Sequence, residues 1–231
     1  MKGKISEVVF DIETLPSPQG TPEEAEYPAR SVREGEDPGE ILRRMSFAPL
    51  TARTVSVAML NPETGRGIVW YEHPEGAPSQ SANGLITLAP ATEEEMLEGF
   101  WETVTRFQRL ITFNGRSFDS PFLMLRSALL GIPPARNLLP YRFSAIEHCD
   151  LLDQLTFYGA TRKFTLDAYC RGFRIAPPGG GDGGHPDLSL LVAGGRHREV
   201  AEFAARTVRA TGELYRRWQG FLSFSAGRDP F

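Results

Sequence analysis

Residues Phe10-Asp11-Ile12-Glu13-Thr14 follow directly on an apolar start, Ile5, Val8 and Val9, and the stretch Ile5–Ile12 reads as a β-strand. Along a strand successive side chains point to opposite faces, so residues two apart share one. Asp11 and Glu13 therefore project side by side, with Phe10, Ile12 and Thr14 on the other face. Two carboxylates on one face repel each other and are costly to bury together. A divalent cation compensates both, and an oxygen-rich site suits Mg²⁺ or Mn²⁺. The other account of the pair is an edge strand that shows two acids to water.

The rest of the chain says what such a strand is packed into. Strand patterns recur at Thr54–Leu60 and Ile68–Tyr71, with Asn61-Pro62-Glu63-Thr64-Gly65 between them as a hairpin turn. Thr92–Phe107 reads as a helix. Thr92 can cap it, Glu95 stands at the capping-box position, and Met96, Leu97, Phe100, Trp101 and Val104 form an apolar stripe. A short strand at Leu110–Phe113, a helix at Asp119–Leu130 closed by Gly131 and Pro133, and a strand near His148–Leu151 follow. Helical stretches at Leu151–Tyr158 and Phe164–Gly172, a glycine-rich loop at Gly179–Gly184 and a long helix over Arg198–Phe221 complete the chain. Three strands, then alternating helix and strand, predict an α/β architecture with a mixed five-stranded sheet flanked by helices. Pro16–Leu50 is rich in Pro, Glu and Gly and reads as a surface insertion with one short helix near Gly39–Met45. The 231 residues fit one domain, 1–231, carrying that insertion at about 16–50.

Charge and cysteine usage narrow the class. A net charge of −4 does not suit a bulk-basic nucleic-acid binder, but it leaves room for an acidic protein that meets phosphate through a bound cation. Cys149 and Cys170 stand in no metal-ligand spacing and read as reduced, which makes a cytoplasmic location the expectation. Asp11 and Glu13 interrupt the first apolar stretch, which is therefore no signal peptide, and no segment is apolar enough to predict a membrane span.

The second informative segment is Phe113-Asn114-Gly115-Arg116-Ser117-Phe118-Asp119, where a strand ends in Asn-Gly and Asp119 opens a helix. Turn and cap chemistry alone account for such residues. Taken together, however, Phe-Asp-Ile-Glu-Thr and the later Phe-Asn-Gly-x-x-Phe-Asp resemble the first two motifs of the DEDD-type 3′–5′ exonucleases, which have a ribonuclease H-like fold. The resemblance is closest to the predicted exonucleases related to the proofreading domain of B-family DNA polymerases. His148-Cys149-Asp150-Leu151-Leu152-Asp153, Lys163-Phe164-Thr165-Leu166-Asp167 and Val208–Tyr215 resemble later segments of the same family. In that family four acids hold two metal ions, one activating water and the other stabilising the leaving 3′-oxygen. The resemblance implies that Asp11, Glu13 and Asp119 are catalytic metal ligands, with Asp11 shared between ions. It places Thr14 and Asn114 beside the substrate, and it implies Mg²⁺ or Mn²⁺ as cofactor and single-stranded nucleic acid or 3′ ends as partner, with no membrane involved. Phe118 is expected to pack in the core.

The third motif breaks the pattern. Relatives carry Tyr-x-x-x-Asp, or a His-containing variant, on the last helix, and the equivalents here are Phe203 and Thr207. Phe203 has no hydroxyl and Thr207 no carboxylate. The neighbours of Thr207 at three and four residues are Phe203, Ala204, Ala210 and Thr211, none of them acidic. Glu202 points to another face and Glu199 lies roughly 12 Å away along the axis. Asp182 or Asp187 replaces the acid only if the glycine-rich loop bends back. Two functions stay open: a metal-dependent 3′–5′ exonuclease of weak activity, and a catalytically inactive nucleic-acid-binding or protein-binding module on the same fold. The remaining features have plainer readings. The arginines between Arg196 and Arg217 are balanced by Glu199, Glu202 and Glu213 as a solvated face. Gly179–Gly184 lacks the Gly-Lys-Ser/Thr of a phosphate loop, and His148 reads as a packed strand residue.

Overall fold

The computed structural model describes residues 5–17, 45–73, 75–180 and 184–223. Most of the expected insertion, its helix near Gly39–Met45, and Asp182 lie outside the described residues. The strands are β1 (Glu7–Pro16), β2 (Ala52–Leu60), β3 (Gly67–Glu72), β4 (Ser79–Gln80), β5 (Ile86–Ala91), β6 (Arg109–Thr112) and β7 (His148–Asp150). They form one sheet in the order β4-β5-β3-β2-β1-β6-β7. The helices are α1 (Glu93–Val104), α2 (Asp119–Leu129), α3 (Leu151–Leu155), α4 (Leu166–Gly172), α5 (Leu188–Ala193) and α6 (His197–Phe221).

Among the described residues the sheet has seven strands, not the five expected. The two additional ones are β4 and β5, which extend the edge beyond β3. β5 does alternate, with Ile86 and Leu88 fully buried, but Ala89-Pro90-Ala91 hides the period. Proline is tolerated there because β4 pairs only with Leu88 and Thr87, so Pro90 stands beyond that ladder. Helix α5 was also missed, since six residues carry too little periodicity to register. The other elements lie within a few residues of their expected places. The capping box of α1 forms as read, with Thr92 and Glu95 exchanging bonds, and all five stripe residues are buried.

Two packed layers result, one on each face of the sheet. Val8, Phe10 and Ile12 of β1 join Val57, Met59 and Leu110 against α1 and α2. On the other face Val9, Ala58, Leu60, Val69 and Ile111 meet α6. Each large apolar side chain so buried contributes roughly 1.5–3 kcal/mol. A one-residue slip of β1 would exchange its faces and drive Asp11 and Glu13 into the α1–α2 core, so the apolar set fixes the acids on the α6 side. Among the described residues no helix is long and apolar enough to cross a membrane.

Candidate functional site

β1 outruns its parallel neighbour. Glu7, Val8 and Val9 pair with Arg109, Leu110 and Ile111, while the β2 ladder continues through to Pro16. Beyond Val9 the edge of β1 facing β6 needs another partner, because an unpaired buried N–H is costly. Asp119 supplies it: the Ile12 N–H donates to its Oδ1 at 2.9 Å. Asp119 is 3 % exposed and does not cap its own helix, whose N-cap is Phe118 with no side-chain bond. Cap chemistry therefore does not explain it. The turn that delivers Asp119 is built by its backbone. Asn114 sits at φ 64°, and a Cβ on Gly115 would meet the Thr112 Cβ at 2.5 Å, so glycine is required. Asp150 clamps the turn from β7, accepting from the Asn114 N–H at 2.9 Å and the Arg116 N–H at 2.8 Å, and caps α3 through the Leu152 N–H at 2.9 Å.

Asp11 and Glu13 share the α6 face of β1, as their spacing requires, opposite Ala58 and Ser56 of β2. Asp11 is half-buried and Glu13 buried. Burial, then Asp119, then Glu13 raise the Asp11 carboxyl well above the ordinary carboxylate range. Burial pushes Asp119 up to about 7 against the pull of the Ile12 and Asp119 N–H groups, with Asp150 and Glu13 adding to the rise. The three acids thus feel one another, the condition that a cation relieves.

The other expected participants are placed less simply. The Thr14 hydroxyl donates to the Ser46 carbonyl at 2.5 Å, across a bulge that separates Thr14 from Glu13. Phe203 and Thr207 lie on the buried face of α6, and the Thr207 hydroxyl donates back to the Phe203 carbonyl at 3.2 Å. Glu199 and Glu202 pair with Arg196 and Arg198 on the solvent side. Asp187 accepts from the Leu190 N–H as the cap of α5, so it does not supply the missing acid. Phe118 packs against the α1–α2 core, and His148 is a buried structural residue held between Thr112 Oγ1 and the Leu138 carbonyl, both at 2.8 Å.

One residue escaped sequence reasoning. His185 reaches back from the end of the glycine-rich loop, with Nε2 3.4 Å from Glu13 Oε2 and its ring against Phe203 at 4.6 Å. Its bond to Glu13 raises the imidazole above its usual range. No spacing in the sequence announces it, because the loop's course decides where it lands.

The donor set has mixed implications for the metal ions of relatives. Three mutually repelling acids suit a divalent cation in chemistry. The buried hydroxyls of Ser56, opposite Glu13, and Ser120, beside Asp119, make no hydrogen bond. Yet among the described residues no three His, Cys, Asp or Glu side chains converge to hold an ion. Asp119 is turned onto Ile12, Glu13 onto His185, and the fourth position is Thr207. The two-ion arrangement does not fit.

Comparison with known proteins agrees with the fold. The chain is similar to the family B DNA polymerase from the hyperthermophilic archaeon Pyrobaculum calidifontis, at 16 % identity and a TM-score of 0.58. That likeness covers 94 % of this chain and 25 % of the polymerase, so the chain spans about a quarter of its length. No curated protein matched. The family model for the predicted 3′–5′ exonuclease related to the exonuclease domain of PolB matches residues 80–223, which takes in Asn114, Asp119, Phe203 and Thr207 but not Asp11 and Glu13. By that match over most of its length, the chain belongs to the family of predicted 3′–5′ exonucleases related to the exonuclease domain of PolB.

Proposed function

We propose that this domain binds the 3′ end of single-stranded nucleic acid at the acid trio and cleaves its terminal phosphodiester slowly. Glu13 and Asp119 are turned onto His185 and Ile12, so the site has room for at most one loosely held Mg²⁺ or Mn²⁺. Were both acids to turn toward Asp11, the three carboxylates would hold it and it would supply charge neutralisation and an activated water. Thr14 and Asn114 flank the substrate in this reading. The carrying observation is the electrostatic strain on Asp11 and Asp119: acids raised by burial and by neighbouring carboxylates are poor structural elements and good ligand sites. The weakness of cleavage follows from Thr207, which spends its hydroxyl on its own helix and offers no charge. Phe203 stands where relatives carry Tyr or His and has no proton-handling group, and loss of such a group commonly costs roughly 10²–10⁴-fold in rate.

The test is a 3′-labelled single strand incubated with Mg²⁺ or Mn²⁺. Slow shortening that Asp11→Ala abolishes supports the reading. Rapid shortening, or shortening that Asp11→Ala leaves intact, contradicts it. The inactive binding module is favoured by one observation, the absence of a converging three-ligand group among the described residues. It predicts 3′-end binding with no shortening at any metal concentration.

A further inference from the structure

Phe203 removes the polar group that relatives place near the site from their last helix, and His185 arrives at the same place from a different segment. The chain leading to it is shaped for that delivery. Gly179 lies against Gly184 so closely that a Cβ on it would stand 2.4 Å from the Gly184 carbonyl oxygen, which requires glycine at 179. The Arg206 guanidinium donates its Nε–H to the Pro178 carbonyl at 2.8 Å, tying the near side of the loop to α6. On the far side Asp187 caps α5, and Leu188 and Leu191 of that helix are buried with Val200 and Phe203 of α6, Leu15 of β1 and Val55 of β2. His185 thus hangs between two anchored points.

The ring itself is held at three places. Nδ1 lies 2.9 Å from the Pro186 carbonyl, Nε2 lies 3.4 Å from the Glu13 carboxylate, and the ring packs edge-on against Phe203 at 66°. The carbonyl and carboxylate oxygens thus face the two ring nitrogens from opposite sides. Phe203 supplies the aromatic surface on which the imidazole rests. The His185 side chain remains 61 % exposed, which leaves the contact open to an arriving ligand. The change at position 203 and the course of the loop therefore belong to one arrangement.

We infer that His185 is a positioning residue for this site, fixing the Glu13 carboxylate from the loop before α5 in place of the side chain that Phe203 lacks. The inference rests on the reading of Asp11, Glu13 and Asp119 as the functional site. The ring stands 3.4 Å from one carboxylate oxygen of Glu13, which limits the rotation of that carboxylate and leaves the other oxygen a preferred direction. Partners that orient a ligating carboxylate commonly contribute 10- to 100-fold to affinity or activity.

Two measurements test it. The first follows the His185 ring nitrogens by NMR in protein free of metal and substrate, comparing wild type with Glu13→Gln. The contact predicts that the Nε2 signal moves while those of His73 and His148 stay. The second measures shortening of the 3′-labelled strand for His185→Ala and His185→Asn. The expected result is a kcat about 10- to 100-fold lower in the alanine variant with KM within about twofold, and partial recovery with asparagine, which restores an N–H donor. An unmoved Nε2 signal, or an alanine variant with wild-type kcat, overturns the inference. A wild-type protein that shortens nothing removes the cleavage reading instead. His185 is then decided by the NMR comparison alone, where a moved signal upholds the contact and an unmoved one ends it.

Discussion

Asp150, the last residue of β7, and Asp119, the first of α2, are both buried aspartates whose carboxyls burial raises, and they differ in how many backbone donors hold them. Asp150 accepts three backbone N–H bonds, from Asn114, Arg116 and Leu152, and so organises a turn and a helix start. Asp119 accepts from Ile12 and otherwise faces Asp150 and Glu13, both of which raise its carboxyl. One carboxylate holds the fold together; the other is held by the fold in a place that costs stability. Functional sites are where such costs persist.

The largest expected effect breaks the first half of the comparison. Asp150→Ala leaves three backbone donors without their acceptor, each worth roughly 1–3 kcal/mol. We predict a loss of about 4 kcal/mol, read as a fall in Tm of about 10 °C at two to four degrees per kcal/mol. A variant that melts with the wild type would show that the turn does not need its clamp.

The pH dependence sharpens the second half. Asp119 is raised to about 7 from 3.8, so the folded protein keeps a proton that the unfolded chain has lost between those values. This contribution to stability is present at low pH and lost as pH rises through 7. Asp119→Asn keeps an oxygen for Ile12 and removes the titration. Its stability relative to wild type should therefore increase from pH 4 to 8, by on the order of 3 kcal/mol. His148 runs the other way. Lowered to about 4 by burial, it stays neutral while the unfolded chain takes up a proton below 6.5, so its contribution fades as pH falls from 6.5 towards 4. Thermal melts of both proteins across this range separate the two groups, because His148 is common to both. The smallest effect concerns Asp11. Asp11→Asn should stabilise the protein by about 1 kcal/mol at pH 8 while removing whatever strand shortening there is.

These contrasts also show what the sequence could reveal. The shared face of Asp11 and Glu13 follows from the period of a strand, and the capping box of α1 follows from Thr92 and Glu95. Both are local rules. The role of Asp119 is not local, because it depends on β1 outrunning β6 and leaving the Ile12 N–H to be satisfied. Only the resemblance of the two motifs pointed to it. Asp150 carries a faint signal, an acid at a strand end before a helix, from which neither its cap nor its clamp on the turn was read. β5 was hidden by Pro90, and His185 by a loop whose course no periodicity encodes.

We propose that the trio is a cation site reduced by the loss of its fourth acid. The most direct test counts Mn²⁺ bound per chain, by electron paramagnetic resonance, in wild type, Thr207→Asp and Asp11→Asn. The account predicts at most one weakly held ion in wild type, a second or markedly tighter ion in Thr207→Asp, and none in Asp11→Asn. Two tightly held ions in wild type, or binding that Asp11→Asn leaves unchanged, would contradict it.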